Sequence, residues 1–155
     1  MIQLNRILIP TDFSDFSNLA LNYGCELAKK FQAELHLLSV VEDVFTLVPD
    51  FTGIPPGAQD YVTDQIQHFH LELEKLPGPQ IEKAIRVERK VVLGIPLVEI
   101  LRYAKEEEMD MIVMGTHGRT GLKHVFLGSV AEAVVRQSPC PVLTTRLTGH
   151  QFIQI

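Results

Sequence analysis

Gly115, Gly118 and Gly128, the last followed at once by Ser129, stand in the stretch GTHGRTGLKHVFLGS together with Arg119 and Lys123. Glycines let a main chain approach a ligand closely. Unpaired amides at a helix start attract anions, so glycines and basic side chains ahead of a helix suit the holding of a phosphate. The preceding run Asp110-Met111-Ile112-Val113-Met114 is short, apolar and β-compatible. Ser129-Val130-Ala131-Glu132 has the form of a capping box opening an amphipathic helix. The spacing, two residues between the first pair of glycines and nine between the second, fits neither the dinucleotide fingerprint nor the P-loop. Structural alternatives stand beside this: turn glycines of positive φ, Ser129 as the helix N-cap, and Arg119 and Lys123 as solvated surface charges.

Other chemistries find less support. The six histidines include no His-Glu-x-x-His pair. His68 and His70 lie two apart on an expected helix, His36 reads as a strand residue, and His117 and His124 as exposed loop residues. Ser14, Ser17, Ser39 and Ser138 lack a nucleophile-elbow setting, and Cys140 has no base partner nearby in sequence. A phosphate cradle without a visible general base points to binding and signalling more than to fast hydrolysis.

With 155 residues, 46% hydrophobic and 21% charged, the chain can bury roughly two thirds of its unfolded surface in one core. The expected organisation is a single domain over 1–147 and a tail over 148–155. A formal charge of −5 argues against broad nucleic-acid binding. No apolar run approaches the roughly 20 residues of a bilayer span, and Met1 to Pro10 lacks the pattern of a secretion signal. These features predict a cytoplasmic chain, off the membrane, with Cys25 and Cys140 as reduced thiols.

The elements that must position the glycine segment alternate. Ile7-Leu8-Ile9 within Arg6 to Pro10 suits a central parallel strand. Phe16, Leu19, Ala20, Tyr23, Leu27, Ala28 and Phe31 mark the inner face of a helix from about Ser14, its cap, to Phe31. Glu34 to Val41 reads as the second strand, and Glu42 to Asp60, rich in Pro and Gly, as a long loop. A helix from Ala58 or Tyr61 to Leu76, with Val62, Ile66, Phe69, Leu73 and Leu76 inward, stops at Pro77-Gly78-Pro79. Ile85 to Val91 alternates as an edge strand whose apolar face Arg89 interrupts. Pro96 opens a third helix ending at Glu106-Glu107-Glu108. Asp110 to Met114, Ser129 to Gln137 and Pro141 to Arg146 then supply a strand, a helix and a fifth strand. This βα order predicts a parallel three-layer α/β sandwich with ligands beyond the strand carboxyl ends.

The pattern Gly115-x2-Gly118-x9-Gly128-Ser129 resembles the nucleotide-binding signature of the universal stress protein family, in its ATP-binding type, and the resemblance covers nearly the whole chain. It implies a Rossmann-like sheet of order 3-2-1-4-5, which sets Pro10, Thr11 and Asp12 beside the glycine segment. It further implies that Asp12 serves the nucleoside or metal-phosphate side, that Val40 or Val41 offers backbone groups to adenine, and that Met114 and Val130 line the cleft. Gly115, Gly118, Arg119, Gly128 and Ser129 would take the phosphates of ATP, with Mg2+ or Mn2+ carried by the phosphates and no protein metal site. A stress-response signalling or binding module, with slow ATPase or self-phosphorylation activity at most, is the implied function. The alternative is an enzyme acting on the nucleotide α-phosphate. A homodimer through Val142 to Arg146 is also implied, and the apolar end of the tail suggests docking on the domain or the partner.

Overall fold

The computed structural model of the chain describes residues 3–42, 57–116 and 128–146. Strands β1 (Arg6–Pro10), β2 (Glu34–Glu42), β3 (Val87–Gly94), β4 (Met111–Gly115) and β5 (Val142–Thr145) form one sheet in the order β3-β2-β1-β4-β5, every pairing parallel. Helices α1 (Asp15–Phe31), α2 (Ala58–Glu74), α3 (Pro79–Glu82), α4 (Pro96–Glu106) and α5 (Ser129–Gln137) connect them. This is the expected sandwich with the expected strand order. The sheet grows from β1 towards β3 on one side and towards β5 on the other. The carboxyl ends of β1 and β4 therefore flank the switch point at which such sheets bind ligands.

Strand alternation divides the interior into two cores. Ile7, Ile9, Leu35, Leu37 and Val113 pack with Ala20, Leu21, Cys25 and Ala28 of α1 and Leu73 of α2. Leu8, Leu38, Ile112 and Met114 pack on the other face with Ile100 and Ala104 of α4 and Ala131 and Val134 of α5. Covering both faces is what makes Ile7-Leu8-Ile9 of β1 and Met111-Ile112-Val113-Met114 of β4 read as unbroken apolar runs.

The inner face of α1 differs from its expected one. Ser14 is the cap, its hydroxyl accepting from the Ser17 amide, but the buried residues are Ser17, Ala20, Leu21, Gly24, Cys25 and Ala28. Tyr23 and Phe31 are exposed, at 54% and 38%. Small side chains decide this. A Cβ at Gly24 would lie 2.2 Å from Ile9 Cδ1, so the helix meets the sheet along its small-residue stripe and the aromatics are left outside.

On α2, Phe69 and Leu73 are buried as expected. After the Pro77-Gly78-Pro79 stop, however, Pro79 begins α3, a single turn the sequence pattern did not suggest. Arg89 on the edge strand β3 is accounted for: its guanidinium donates to the carbonyls of Leu73 and Leu76 and pairs with Glu82. The three acids at the end of α4 meet a cation, since Arg6 donates to the Glu107 carbonyl at 2.8 Å and lies 3.9 Å from Glu108. Asp110 falls outside β4, where its carboxylate accepts the main-chain N–H groups of Asn5 and Arg6. Pro141 and Arg146 likewise fall outside β5.

Cys25 and Cys140 are unpaired, and burial pushes the Cys25 thiol up to about 11. Among the described residues no helix is long and apolar enough to cross a membrane. The expected loop ends by Gly57, ahead of α2; its portion 43–56 and the tail 148–155 lie outside the described residues.

Candidate functional site

Beyond Pro10 the chain turns through Thr11, Asp12 and Phe13 into α1, and buried hydroxyls hold the turn. The Thr11 amide donates to the Leu38 carbonyl at 2.8 Å, and Ser39 Oγ donates to the Thr11 carbonyl at 2.9 Å, so the turn is tied to β2. Thr11 Oγ1 donates to Ser17 Oγ at 3.1 Å and accepts from the Phe13 amide at 3.1 Å. Ser17 Oγ in turn donates to the Ser14 carbonyl. Thr11, Ser17 and Ser39 are all buried, and each hydroxyl has a partner, as buried polar groups require. Asp12 Oδ1 accepts from both the amide (3.1 Å) and the hydroxyl (2.6 Å) of Ser14, an Asx turn into the helix. The turn role of Asp12 is therefore real, and it leaves the residue half-buried beside the switch point.

In a strand, the main-chain groups of alternate residues address the same neighbour. The Leu38 carbonyl faces β1, so those of Val40 address the space beyond the end of β1, while Val41 addresses β3. The side chains divide in the same way. Val40, Met114 and Val130 pack on the core beneath α4 and α5, whereas buried Val41 alternates onto the opposite pleat. Pro10, Val40, Met114 and Val130 thus gather at one end of the sheet.

Gly115 ends β4, opposite Thr145. It is buried with no positive φ, so it is not a turn glycine. What requires glycine is proximity: a Cβ would stand 2.8 Å from the Phe16 carbonyl oxygen. The Thr116 amide donates to the Thr145 carbonyl at 3.0 Å, and the Gly128 amide donates to the Thr116 carbonyl at 2.6 Å. Thr116 and Gly128 thus meet beside β5. Gly118, Arg119 and Lys123, with His117 and His124, lie outside the described residues.

The capping box is a correction. Gly128, not Ser129, is the N-cap of α5, without a side-chain cap bond, and Ser129 is the first helical residue, exposed. A capping-box glutamate reaches back to the N-cap amide. With Gly128 as the cap, Glu132 falls at N4 instead of N3 and pairs with Arg136 at 2.8 Å, while the Thr116 carbonyl accepts the Gly128 amide.

Sequence reasoning missed the Thr11, Ser17 and Ser39 hydroxyls as the frame of this site. The available signal was Ser39 standing among Leu37, Leu38, Val40 and Val41 in β2. Among the described residues no group of three metal-ligating side chains exists.

A buried titratable group lies away from this end. Buried His36 has Nδ1 2.9 Å from the Tyr103 hydroxyl, and its Nε2, 3.5 Å from Glu34 Oε1, makes no hydrogen bond among the described residues. Burial pushes its pKa down, against the opposing pull of Glu34, Glu107 and Glu88. The unfolded chain then binds this proton more readily than the native one. Stability is full above the ordinary value of 6.5 and declines as pH falls towards the lowered native pKa. Urea titrations across this window should show a decline that His36→Gln flattens; equal slopes in both proteins would show that His36 is not its source.

The model of the universal stress protein family matches residues 3–146. Universal stress protein YxiE of Bacillus subtilis is 37% identical over 146 residues, covering 92% of this chain and 99% of that protein. The structure of universal stress protein UspA from Lactobacillus plantarum superposes with a TM-score of 0.79 at 26% identity, covering 94% of this chain and 100% of that one. Two further structures share the fold at 20% and 16% identity, with TM-scores of 0.62 and 0.54: a universal stress protein in complex with cAMP, and one from Arabidopsis thaliana with AMP bound. They cover 95% and 94% of this chain, and 93% of the Arabidopsis chain is covered in return. Strand order, the glycine segment at the end of β4 and the match along the described chain converge on one conclusion: this chain belongs to the universal stress protein family.

Proposed function

We propose that the chain is a stress-response module that binds ATP at the carboxyl ends of β1 and β4 and uses occupancy to change a loop or a partner surface. The observation that carries this is the signature Gly115, Gly118, Gly128, Ser129 beginning at the end of β4. The start of α5, where no side chain caps the amides, suits phosphate oxygens. The main chain of Val40 and the side chains of Met114 and Val130 suit adenine, and Asp12 the nucleoside or a phosphate-borne Mg2+ or Mn2+. Arg119 steers the polyanion. That relatives of this fold hold cAMP and AMP agrees with an adenine ligand. The module works in the cytoplasm as a homodimer paired along β5, where Leu143 is an exposed apolar side chain. Residues 148–155 dock on the domain or the partner.

Native mass spectrometry of the purified chain reads ligand and stoichiometry together; a chain truncated after 148 reads the contribution of the tail. The expected result is a dimer carrying ATP or ADP, with a weaker dimer on truncation. Ser129→Ala separates two roles of that residue. It is not the cap, so stability should stay within about 0.5 kcal/mol. ATP affinity should fall about tenfold if the hydroxyl donates to a phosphate. Conversion of ATP to AMP and pyrophosphate would favour the α-phosphate enzyme instead. A dimer with no nucleotide and no titratable affinity would leave a structural protein.

A further inference from the structure

Phe13 has a φ of 65°, inside the left-handed region that side-chain-bearing residues avoid. Gln32 and Glu108, the other non-glycine residues of positive φ among those described, stand at the ends of α1 and α4, where this conformation is ordinary. Phe13 instead precedes a helix. It sits between Asp12 and Ser14, within the turn that carries the chain from the end of β1 to α1. A glycine would adopt this φ at no cost, so the aromatic ring must contribute something that offsets the strain.

Two contacts hold it. The Phe13 amide donates to Thr11 Oγ1 at 3.1 Å. The ring meets Phe69 of α2 edge to face, with centroids 5.3 Å apart and planes at 85°. Phe69 is buried, and Phe13 packs against the core shared by α1 and α2. The reversal at Phe13 is what brings the Ser14 amide and hydroxyl onto Asp12 Oδ1. Aromatic pairs at this geometry add stabilisation beyond their buried area.

From this geometry we infer that Phe13 is a positioning residue for the nucleotide site: clamped by Phe69, it fixes the Asp12 turn in its binding conformation and so makes ATP affinity depend on the docking of α2. This rests on the reading of Asp12 as a ligand residue. Neither ring need touch the nucleotide. The coupling is reciprocal, so a nucleotide that engages Asp12 must also stabilise the seat of α2.

Calorimetric titration of ATP into the full chain tests the inference through a double-mutant cycle. Phe69→Ala should weaken binding about tenfold, and Asp12→Ala should weaken it by at least as much. The double variant should bind no more weakly than Asp12→Ala alone, because Phe69 acts only through Asp12. Phe69→Leu, which keeps the core filled, covers the case in which Phe69→Ala fails to fold, and should show the same non-additivity. Phe13→Gly keeps the backbone conformation and loses the ring, so it should also weaken binding. Independent losses in the cycle, or wild-type affinity in the folded Phe69 and Phe13 variants, would overturn the inference.

A second readout needs no nucleotide. In Phe69→Ala or Phe69→Leu the Ser14 amide should exchange hydrogen faster, while the Ala20 and Ala28 amides inside α1 stay protected. If Asp12→Ala leaves ATP affinity intact, the ligand role of Asp12 falls and the nucleotide-positioning inference falls with it. The Ser14 amide then reports separately whether Phe69 sets the turn. Unchanged Ser14 protection overturns the clamp whatever the affinities show.

Discussion

Gly115→Ala should lower the unfolding free energy by about 3 kcal/mol, at the upper end of overpacking effects. The new methyl group would lie 2.8 Å from the Phe16 carbonyl oxygen and 2.9 Å from its carbonyl carbon. Those are main-chain atoms at the start of α1, so no rotamer change relieves the contact. The helix or the strand end must move. Gly24→Ala is the internal control: its nearest neighbour is the tip of the Ile9 side chain, which can turn aside, and about 1 kcal/mol is expected. Urea denaturation with an unchanged m-value would measure both. A loss at Gly115 no larger than that at Gly24 would show that the first turn of α1 slides freely over β4. The same shift would reach the proposed nucleotide site, since Asp12 leads directly into that turn.

Arg89→Ala should cost about 2 kcal/mol, within the range for hydrogen bonds to a charged group, here partly buried. Its guanidinium, on a side chain 24% exposed, donates to the Leu73 carbonyl at 3.1 Å and to the Leu76 carbonyl at 3.0 and 2.6 Å, and pairs with Glu82 of α3. It therefore satisfies the Leu76 carbonyl just past α2, adds a second donor to the Leu73 carbonyl that already accepts from the Leu76 amide, and places positive charge at the negative end of the helix dipole. Arg89→Lys should recover less than half of the loss, because an ammonium cannot span these acceptors as a planar fork does. Thermal unfolding of the two variants provides the measurement. A change within about 0.5 kcal/mol for Arg89→Ala would mean that water replaces these bonds without loss. An effect of the predicted size makes Arg89 a fastening of α2 to β3, the helix that also carries Phe69.

Much of the architecture was legible because its signals are local. Ile7-Leu8-Ile9 reads as a central strand because a strand covered on both faces needs apolar residues at every position, and the run from Leu35 to Val41 is interrupted only by His36 and Ser39. Pro77-Gly78-Pro79 ended a helix through backbone constraints that operate in any context. The glycine signature is a pattern of spacing, and spacing is written in the chain itself. Strand order was different in kind. It came from resemblance to a family, since periodicity says nothing about which strand neighbours which.

What the sequence by itself determined is therefore the type of each main element and the class of the fold, and it supplied the glycine segment on which the proposed site rests. Tertiary structure decided the faces and the partners. Tyr23 and Leu21 are equally compatible with a helical stripe, and only the close approach of Gly24 to Ile9 set Leu21 inside and Tyr23 outside. Ser129 and Glu132 spell a capping box, yet the helix starts one residue earlier, at a Gly128 cap whose amide donates to the Thr116 carbonyl brought alongside, and Glu132 is displaced from N3. Val40 and Val41 differ by one position, and pairing with β1 alone assigns their main-chain groups to opposite sides. Arg89 looked like a flaw in an apolar face until the end of α2 was laid against it. The physical reason is common to these cases: propensity and periodicity act through neighbours in sequence, whereas close packing and competition for a single hydrogen bond depend on residues that only the folded chain brings together.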